Sequence, residues 1–328
     1  MHDYQRIKER IMGGLIPAVP VPRSADGAIH LEAHDRYVRY MAGQQVAGVA
    51  VWVHTGRGLH LPHHEREYVL RSWRKQLREE QLVIAGAGAR IDPIWPEESR
   101  VDRWKESARR MAEEAMRWGA DAILVFPPAI FRDLSPEVRD EAIVEYHVSL
   151  ANEGFPLILF YLYEEAGGIV YTPDVLRRLM ELPQTIGIKM ACLDSVMTMQ
   201  DVASLLEREF PDKLFITGED RMFGYSVMRG AKGALAGLGA AYPNIQTDMI
   251  KAYLNGEADR FLELSSRVDG YAEAAFKAPM DKYILRMLWL LVIAEVIPPE
   301  AAHDITGYEM SQDEVKSLHE AVLVNRLY

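Results

Sequence analysis

A single cysteine, Cys192, among 328 residues leaves no partner for an intramolecular disulfide. The fold must then rest on its core, as expected in a reducing compartment. Long apolar runs are also missing. The most apolar stretch, Met287–Ile297, is about half of the ~20 residues that a bilayer-spanning helix needs. The segment from Met1 to Met12 carries Arg6, Lys8, Glu9 and Arg10, without the apolar centre and small-residue cleavage site of a signal peptide. These absences point to a cytoplasmic protein with no membrane partner. Positive charge is in deficit, with 37 Lys and Arg against 48 Asp and Glu and a net charge of −11. Such a surface repels phosphate backbones, so nucleic acid is not an expected partner. The nearest basic stripe, Arg71, Arg74, Lys75 and Arg78, runs with Glu79 and Glu80 on a helical pattern and reads as a solvated helix face. No Gly-rich phosphate turn follows the first apolar run, and no low-complexity tract or linker interrupts the chain.

What is present is an alternation of short apolar runs with longer amphipathic ones. The runs Leu15–Val19, Gly48–Val53, Leu82–Ala85, Ala122–Phe126, Leu157–Tyr161, Ile186–Lys189, Leu214–Thr217 and Gly233–Ala236 are rich in Val, Ile, Leu and Ala. Nearly continuous apolar runs suit parallel strands covered on both faces. Between them the pattern predicts helices over Leu31–Gln44, His63–Leu77, Glu98–Trp118, Ser135–Ala151, Asp174–Glu181, Asp194–Glu209, Asp220–Met228 and Asn244–Leu254. Pro62 and Thr172-Pro173 mark helix starts, and Gly119 and Gly154 mark stops. Eight strand–helix units argue for an α/β fold of the (β/α)₈ TIM-barrel kind over residues 1–255. A doubly wound open sheet is the runner-up. Residues 256–328 read as a C-terminal helical extension of three helices, Ala258–Phe276, Met280–Val296 and Gln312–Asn325, capping the barrel or forming an oligomer contact.

In such barrels the reactive groups sit at the C-terminal ends of the strands. Strand six ends in Gly187-Ile188-Lys189. A lysine closing an apolar strand is desolvated, which disfavours its ammonium form. As a free amine it can attack a ketone and form an iminium, an electron sink that needs no metal or organic cofactor. The competing reading is a lysine that reaches the rim or pairs with a carboxylate. Tyr161 ends strand five, where its phenol could relay protons, or merely fill the core. Thr55-Gly56 follows strand two and could hold a carboxylate, or simply turn the chain. Strand seven leads into Gly218-Glu219-Asp220.

This ordered set resembles the dihydrodipicolinate synthase/N-acetylneuraminate lyase family. The likeness rests on Gly14-Leu15-Ile16-Pro17-Ala18, Thr55-Gly56 with Leu61 to Arg66, Gly119-Ala120-Asp121-Ala122 running into Phe126-Pro127-Pro128, Gly187-Ile188-Lys189, and Gly230-Ala231-Lys232-Gly233. Tyr161 precedes Lys189 by 189 − 161 = 28 positions, as the family's tyrosine precedes its lysine. The resemblance implies a class I aldolase-type lyase acting on pyruvate or another 2-oxo acid, with an aldehyde or sugar acid as second substrate. It implies Lys189 as the Schiff-base residue and Tyr161 as the proton relay. Thr55, with the backbone around His54 to Gly56, would bind the keto-acid carboxylate, and the Leu235 backbone would lie nearby. It also implies a homo-oligomer, tetramer or dimer.

The departures concern the second substrate. His54 stands where the family has a second hydroxyl residue, and it could act as donor or base. Arg57 replaces the glutamate that follows Thr-Gly; it could bind a substrate anion or make a rim salt bridge. Ala129-Ile130 replaces an aromatic pair. Leu162-Tyr163-Glu164-Glu165-Ala166-Gly167 contains no carboxylate-binding arginine, which argues against dihydrodipicolinate formation. Tyr163, Glu164 and Glu165 instead suit a polyhydroxy or cationic second substrate. A 2-keto-3-deoxy sugar-acid dehydratase would use the same lysine, and a non-catalytic keto-acid-binding relative is the reading from another class. Cys192 reads as a packed residue. His54, His60, His63, His64 and His147 do not form a metal-binding helix pattern, because Pro62 separates His60 from His64.

Overall fold

The computed structural model describes residues 4–193 and 195–328. Eight short strands are the staves of one parallel barrel: β1 (Leu15–Pro17), β2 (Gly48–Val51), β3 (Leu82–Ala87), β4 (Ala122–Val125), β5 (Leu157–Leu162), β6 (Thr185–Ala191), β7 (Leu214–Thr217) and β8 (Gly233–Ala236). From β2 to β8 each pairs with the next in sequence, and β8 returns to pair with β1. Between β1 and β2 the ring is completed by the parallel bridge Ala18↔Ala50, where the Val19 N–H donates to the Ala50 carbonyl at 3.1 Å.

Strand alternation sorts the side chains into two layers. Ile16, Ala50, Ile84, Leu124, Ile158, Phe160, Ile216 and Leu235 belong to one cluster that fills the barrel interior. Val49, Val83, Ile123, Leu159, Ile188 and Phe215 belong to a second cluster, packed against the helices. These helices are α1 (Tyr4–Ile11), α2 (Leu31–Ala42), α3 (His63–Gln76), α4 (Arg100–Arg117), α5 (Pro136–Ala151), α6 (Pro173–Met180), α7 (Val196–Glu209), α8 (Phe223–Met228), α9 (Asn244–Leu254), α10 (Ala258–Ala275), α11 (Tyr283–Ile293) and α12 (Gln312–Val324). Helix α1, which the apolar pattern does not announce, sends Ile7 and Ile11 into the interior cluster and closes the barrel floor. Gly233 accommodates it, since a Cβ there would lie 2.4 Å from the Ile11 carbonyl oxygen.

Element ends shift for identifiable reasons. Strand β2 stops at Val51 because Trp52 takes a left-handed conformation, φ 59°. Strands β5 and β6 run further than expected, to Leu162 and Ala191. Helix α8 begins at Phe223 rather than Asp220, because the Glu219 N–H donates to Thr217 Oγ1 at 3.1 Å in a turn. The expected helix start at Asp194 lies outside the described residues.

In the C-terminal extension, α10 packs on α8 and α9. Between α10 and α11 the chain crosses the barrel mouth. The buried Arg286 anchors this crossing: its Nη1 donates to the Ala275 carbonyl at 3.1 Å and the Lys277 carbonyl at 2.6 Å. The predicted single helix from Met280 is therefore a 3₁₀ turn, Met280–Lys282, followed by α11. Among the described residues, no helix is long and apolar enough to cross a membrane.

Candidate active site

Lys189 projects from β6 into the barrel mouth and is 6% exposed. Its neighbours Ile188 and Met190 face the outer layer, so alternation turns Lys189 inward. Register pairs it with Phe160 on β5, and its Nζ stands 4.2 Å from the centre of the Phe160 ring. On the other side the stem runs past Gly218, where a Cβ would lie 2.3 Å from Lys189 Cε. Glycine is required there. Burial pulls the Lys189 pKa well below its ordinary value, and the charges of Asp220 and Glu219 oppose that shift.

Both carboxylates come from the turn after β7. Asp220 accepts the Leu238 N–H at 2.7 Å, and burial raises its pKa despite that bond and the nearby lysine. Glu219, fully buried, accepts the Cys192 N–H at 2.8 Å, with Cys192 Sγ 3.0 Å from the same oxygen. Burial also raises its pKa. This places Cys192 in a buried contact beneath the site.

Across the chamber, a 3₁₀ turn after β2 presents His54 and Thr55. Thr55 Oγ1 lies 2.9 Å from the Tyr283 hydroxyl, and His54 Nδ1 lies 3.1 Å from it. Burial lowers the His54 pKa to about 4, reinforced by Arg57, so the imidazole is neutral at ordinary pH. Tyr283 opens α11 and stacks on Phe276 with ring centres 4.5 Å apart. Gly237 leaves room for the group: a Cβ there would sit 3.2 Å from both rings and 3.4 Å from Thr55 Oγ1. Lys189, His54, Thr55, Asp220 and Tyr283 thus line one small chamber of about 40 Å³, with Phe160, Tyr163 and Phe276 among its walls.

Several expected site residues lie elsewhere. Tyr161 does not line the chamber. It belongs to the outer cluster and meets Tyr171 edge-on at 5.6 Å, because the period of two along β5 gives the inward position to Phe160. The N–H of Gly56 donates to the Val53 carbonyl at 3.0 Å, and a Cβ at Gly56 would lie 2.9 Å from the Val19 carbonyl oxygen. It serves close packing rather than offering a spare donor. The Arg57 guanidinium is held by Asp281 at 2.7 Å and Asp304 at 2.6 Å. With its charge met by two carboxylates, the geometry favours the ion-pair reading over capture of a substrate anion. Leu235 is buried on β8, its carbonyl 3.1 Å from the point where a Gly218 Cβ would sit. Glu164 and Glu165 are exposed outside both the chamber and the cavity next to it.

That neighbouring cavity, of about 370 Å³, shares His54, Leu162 and Ala166 with the chamber. The histidines are dispersed: His60 Nδ1 lies 3.1 Å from Arg90 Nη1, His63 pairs with Glu114, and His147 is buried against the Ile143 carbonyl. Among the described residues no three His, Cys, Asp or Glu side chains converge as a metal site.

The model of the Dihydrodipicolinate synthetase family matches residues 11–291. The chain belongs to that family. The match crosses residue 255, taking in the barrel and the start of the extension. A 4-hydroxy-tetrahydrodipicolinate synthase of Ruegeria pomeroyi is 27% identical over 302 residues, 91% of this chain and 94% of that one. An N-acetylneuraminate lyase of Citrobacter koseri is 23% identical over 288 residues, 86% of this chain and 88% of that one. The dihydrodipicolinate synthase structure from Thermotoga maritima superposes with a TM-score of 0.82 at 19% identity, covering 97% of this chain and all (100%) of that one. As a member of the dihydrodipicolinate synthetase family, the protein is an enzyme of the lyase kind, and its fold is the family's barrel.

Proposed function

We propose that the protein is a class I aldolase that binds pyruvate or a similar 2-oxo acid as a Schiff base on Lys189. The observation that carries this reading is a desolvated amine at the end of β6, enclosed in one chamber with a hydroxyl pair, Thr55 and Tyr283. Lys189 Nζ attacks the ketone carbon and the carbonyl oxygen takes up a proton. Loss of that oxygen as water leaves the iminium. A proton then leaves C3, and the resulting enamine carbon bonds to the carbonyl carbon of an aldehyde. Hydrolysis of the new iminium frees product and amine. The reverse sequence cleaves the same bond.

The remaining groups have roles that follow from their placement. The Tyr283 hydroxyl, fixed by Thr55 and His54, exchanges protons with the departing oxygen. The Thr55 hydroxyl binds the keto-acid carboxylate. Asp220 supplies a counter-charge to the iminium, which a buried site otherwise disfavours. A structure of this family from E. coli K12, 18% identical with TM-score 0.80, is described as a complex with pyruvate, which lends that keto acid to the first trial.

The test is borohydride reduction in the presence of pyruvate, followed by peptide mass spectrometry. A reduced three-carbon adduct on Lys189, lost in Lys189→Ala, is the expected result. No adduct with pyruvate or longer 2-oxo acids would remove the proposal.

A further inference from the structure

The cavity of about 370 Å³ beside the chamber has a distinctive chemistry. A cavity of about 150 Å³ already accommodates benzene, so a ring-sized body fits. Its walls are Leu59, Ile91, Trp104, Phe126, Ile130 and Leu162, joined by small alanine and glycine surfaces. Among the described residues no Ser, Thr, Asn, Gln, Asp or Glu side chain lines it. A polyhydroxylated aldehyde would exchange its water hydrogen bonds for apolar contacts there, which is unfavourable for each hydroxyl. Among the described residues the charged and histidine lining is His54, Arg57, His60 and Arg90. His54 faces Tyr283, and Arg57 is neutralised by Asp281 and Asp304. Arg90 differs. Its Nη1 contacts only the ring nitrogen of His60, at 3.1 Å, and among the described residues no carboxylate pairs with it.

We infer that the second substrate is an aromatic aldehyde carrying a carboxylate, whose ring fills the apolar cavity and whose anion meets Arg90. The inference rests on the Schiff-base reading, since the aldehyde must approach an enamine held on Lys189. The shared wall at His54, Leu162 and Ala166 is where the enamine carbon C3 and the aldehyde carbonyl carbon would meet. An arginine–carboxylate contact is charge-assisted and directional, so it discriminates strongly between an aldehyde with the anion and one without.

The experiment gives the full-length enzyme pyruvate with 3-carboxybenzaldehyde, benzaldehyde or glyceraldehyde, and measures aldol product by liquid chromatography. Borohydride trapping on Lys189 runs in parallel without aldehyde. The expected kcat/KM order places 3-carboxybenzaldehyde about 10-fold or more above benzaldehyde, and glyceraldehyde last. Arg90→Gln should collapse the ratio between the first two. Glyceraldehyde as the best acceptor, or a ratio untouched by Arg90→Gln, overturns the inference while the trapped adduct leaves the aldolase reading in place. Failure to trap pyruvate at all removes both.

Discussion

The Tyr283 hydroxyl lies 2.9 Å from Thr55 Oγ1, a hydrogen bond between residues 228 positions apart. A side chain from the C-terminal extension thereby completes a chamber otherwise built from barrel strands and their loops. The position next to Lys189 on the neighbouring strand is filled by Phe160, which has no proton to exchange. A phenol held against Thr55 is instead supplied from α11, alongside Tyr163 in the chamber wall.

Tyr283→Phe should slow turnover about 10²–10⁴-fold, the loss expected for removal of a proton-transfer group. Tyr161→Phe should change the rate by less than about threefold, because that ring faces the outer layer. Steady-state kinetics on the two variants decides the matter, and the reverse order of effects would return the relay to Tyr161.

Much of this arrangement is legible in the sequence, and the limits have physical causes. Eight apolar runs give the barrel, because strands buried on both faces must be apolar throughout. The same property hides which residues point inward. In Leu157–Leu162 every residue is apolar or aromatic, so a single step of register exchanges Phe160 for Tyr161. Lys189 escapes the ambiguity, since a charge within such a run has few places to go. Asp220 stands at a strand end that the sequence marks, yet only the fold brings it to the lysine. Tyr283 carries no local signal: it starts an apolar helix, and nothing nearby in sequence suggests that this helix begins over the barrel mouth.

The pH response of adduct formation follows from the burial of Lys189. Its free amine, the reactive form, should persist well below the pH at which an exposed lysine loses its proton, so the trapping rate should rise with pH through a midpoint well under 10.5. Asp220 favours the ammonium form. Asp220→Asn should move the midpoint lower still, while weakening the iminium at every pH. A midpoint that rises in Asp220→Asn would contradict the assigned sign. The measurement is the initial trapping rate against pH, with protein integrity followed by circular dichroism.

Gly218→Ala should place a methyl group 2.3 Å from Lys189 Cε and 2.9 Å from the Met190 carbonyl oxygen. The lysine must swing aside. A displacement of about 1 Å at a reacting group costs on the order of 100-fold in rate. The expected outcome is a fall in kcat of that size with the far-ultraviolet spectrum preserved, and a normal kcat would show that the stem has another path.

Arg57→Ala removes the charged partner of the almost completely buried Asp304 side chain, leaving it the Thr306 hydroxyl. Because the pair is partly screened, the expected loss is about 1–3 kcal/mol in chemical denaturation at neutral pH. Asp304 has a folded pKa below its ordinary value, as the Arg57 bonds outweigh burial. Its contribution is thus present above the unfolded-state pKa and fades as pH falls through the lower, folded one. The gap between wild type and variant should narrow in acid, and denaturation curves at two pH values test it.

The small chamber lies beside the larger cavity, and the two meet at the wall formed by His54, Leu162 and Ala166. Adjoining rooms impose a queue on the proposed chemistry. An acceptor in the larger room has nothing to react with until an enamine stands on Lys189 in the smaller one, so the keto acid must react first. The arrangement thereby sets an order of events, which initial-rate patterns with both reactants varied would display.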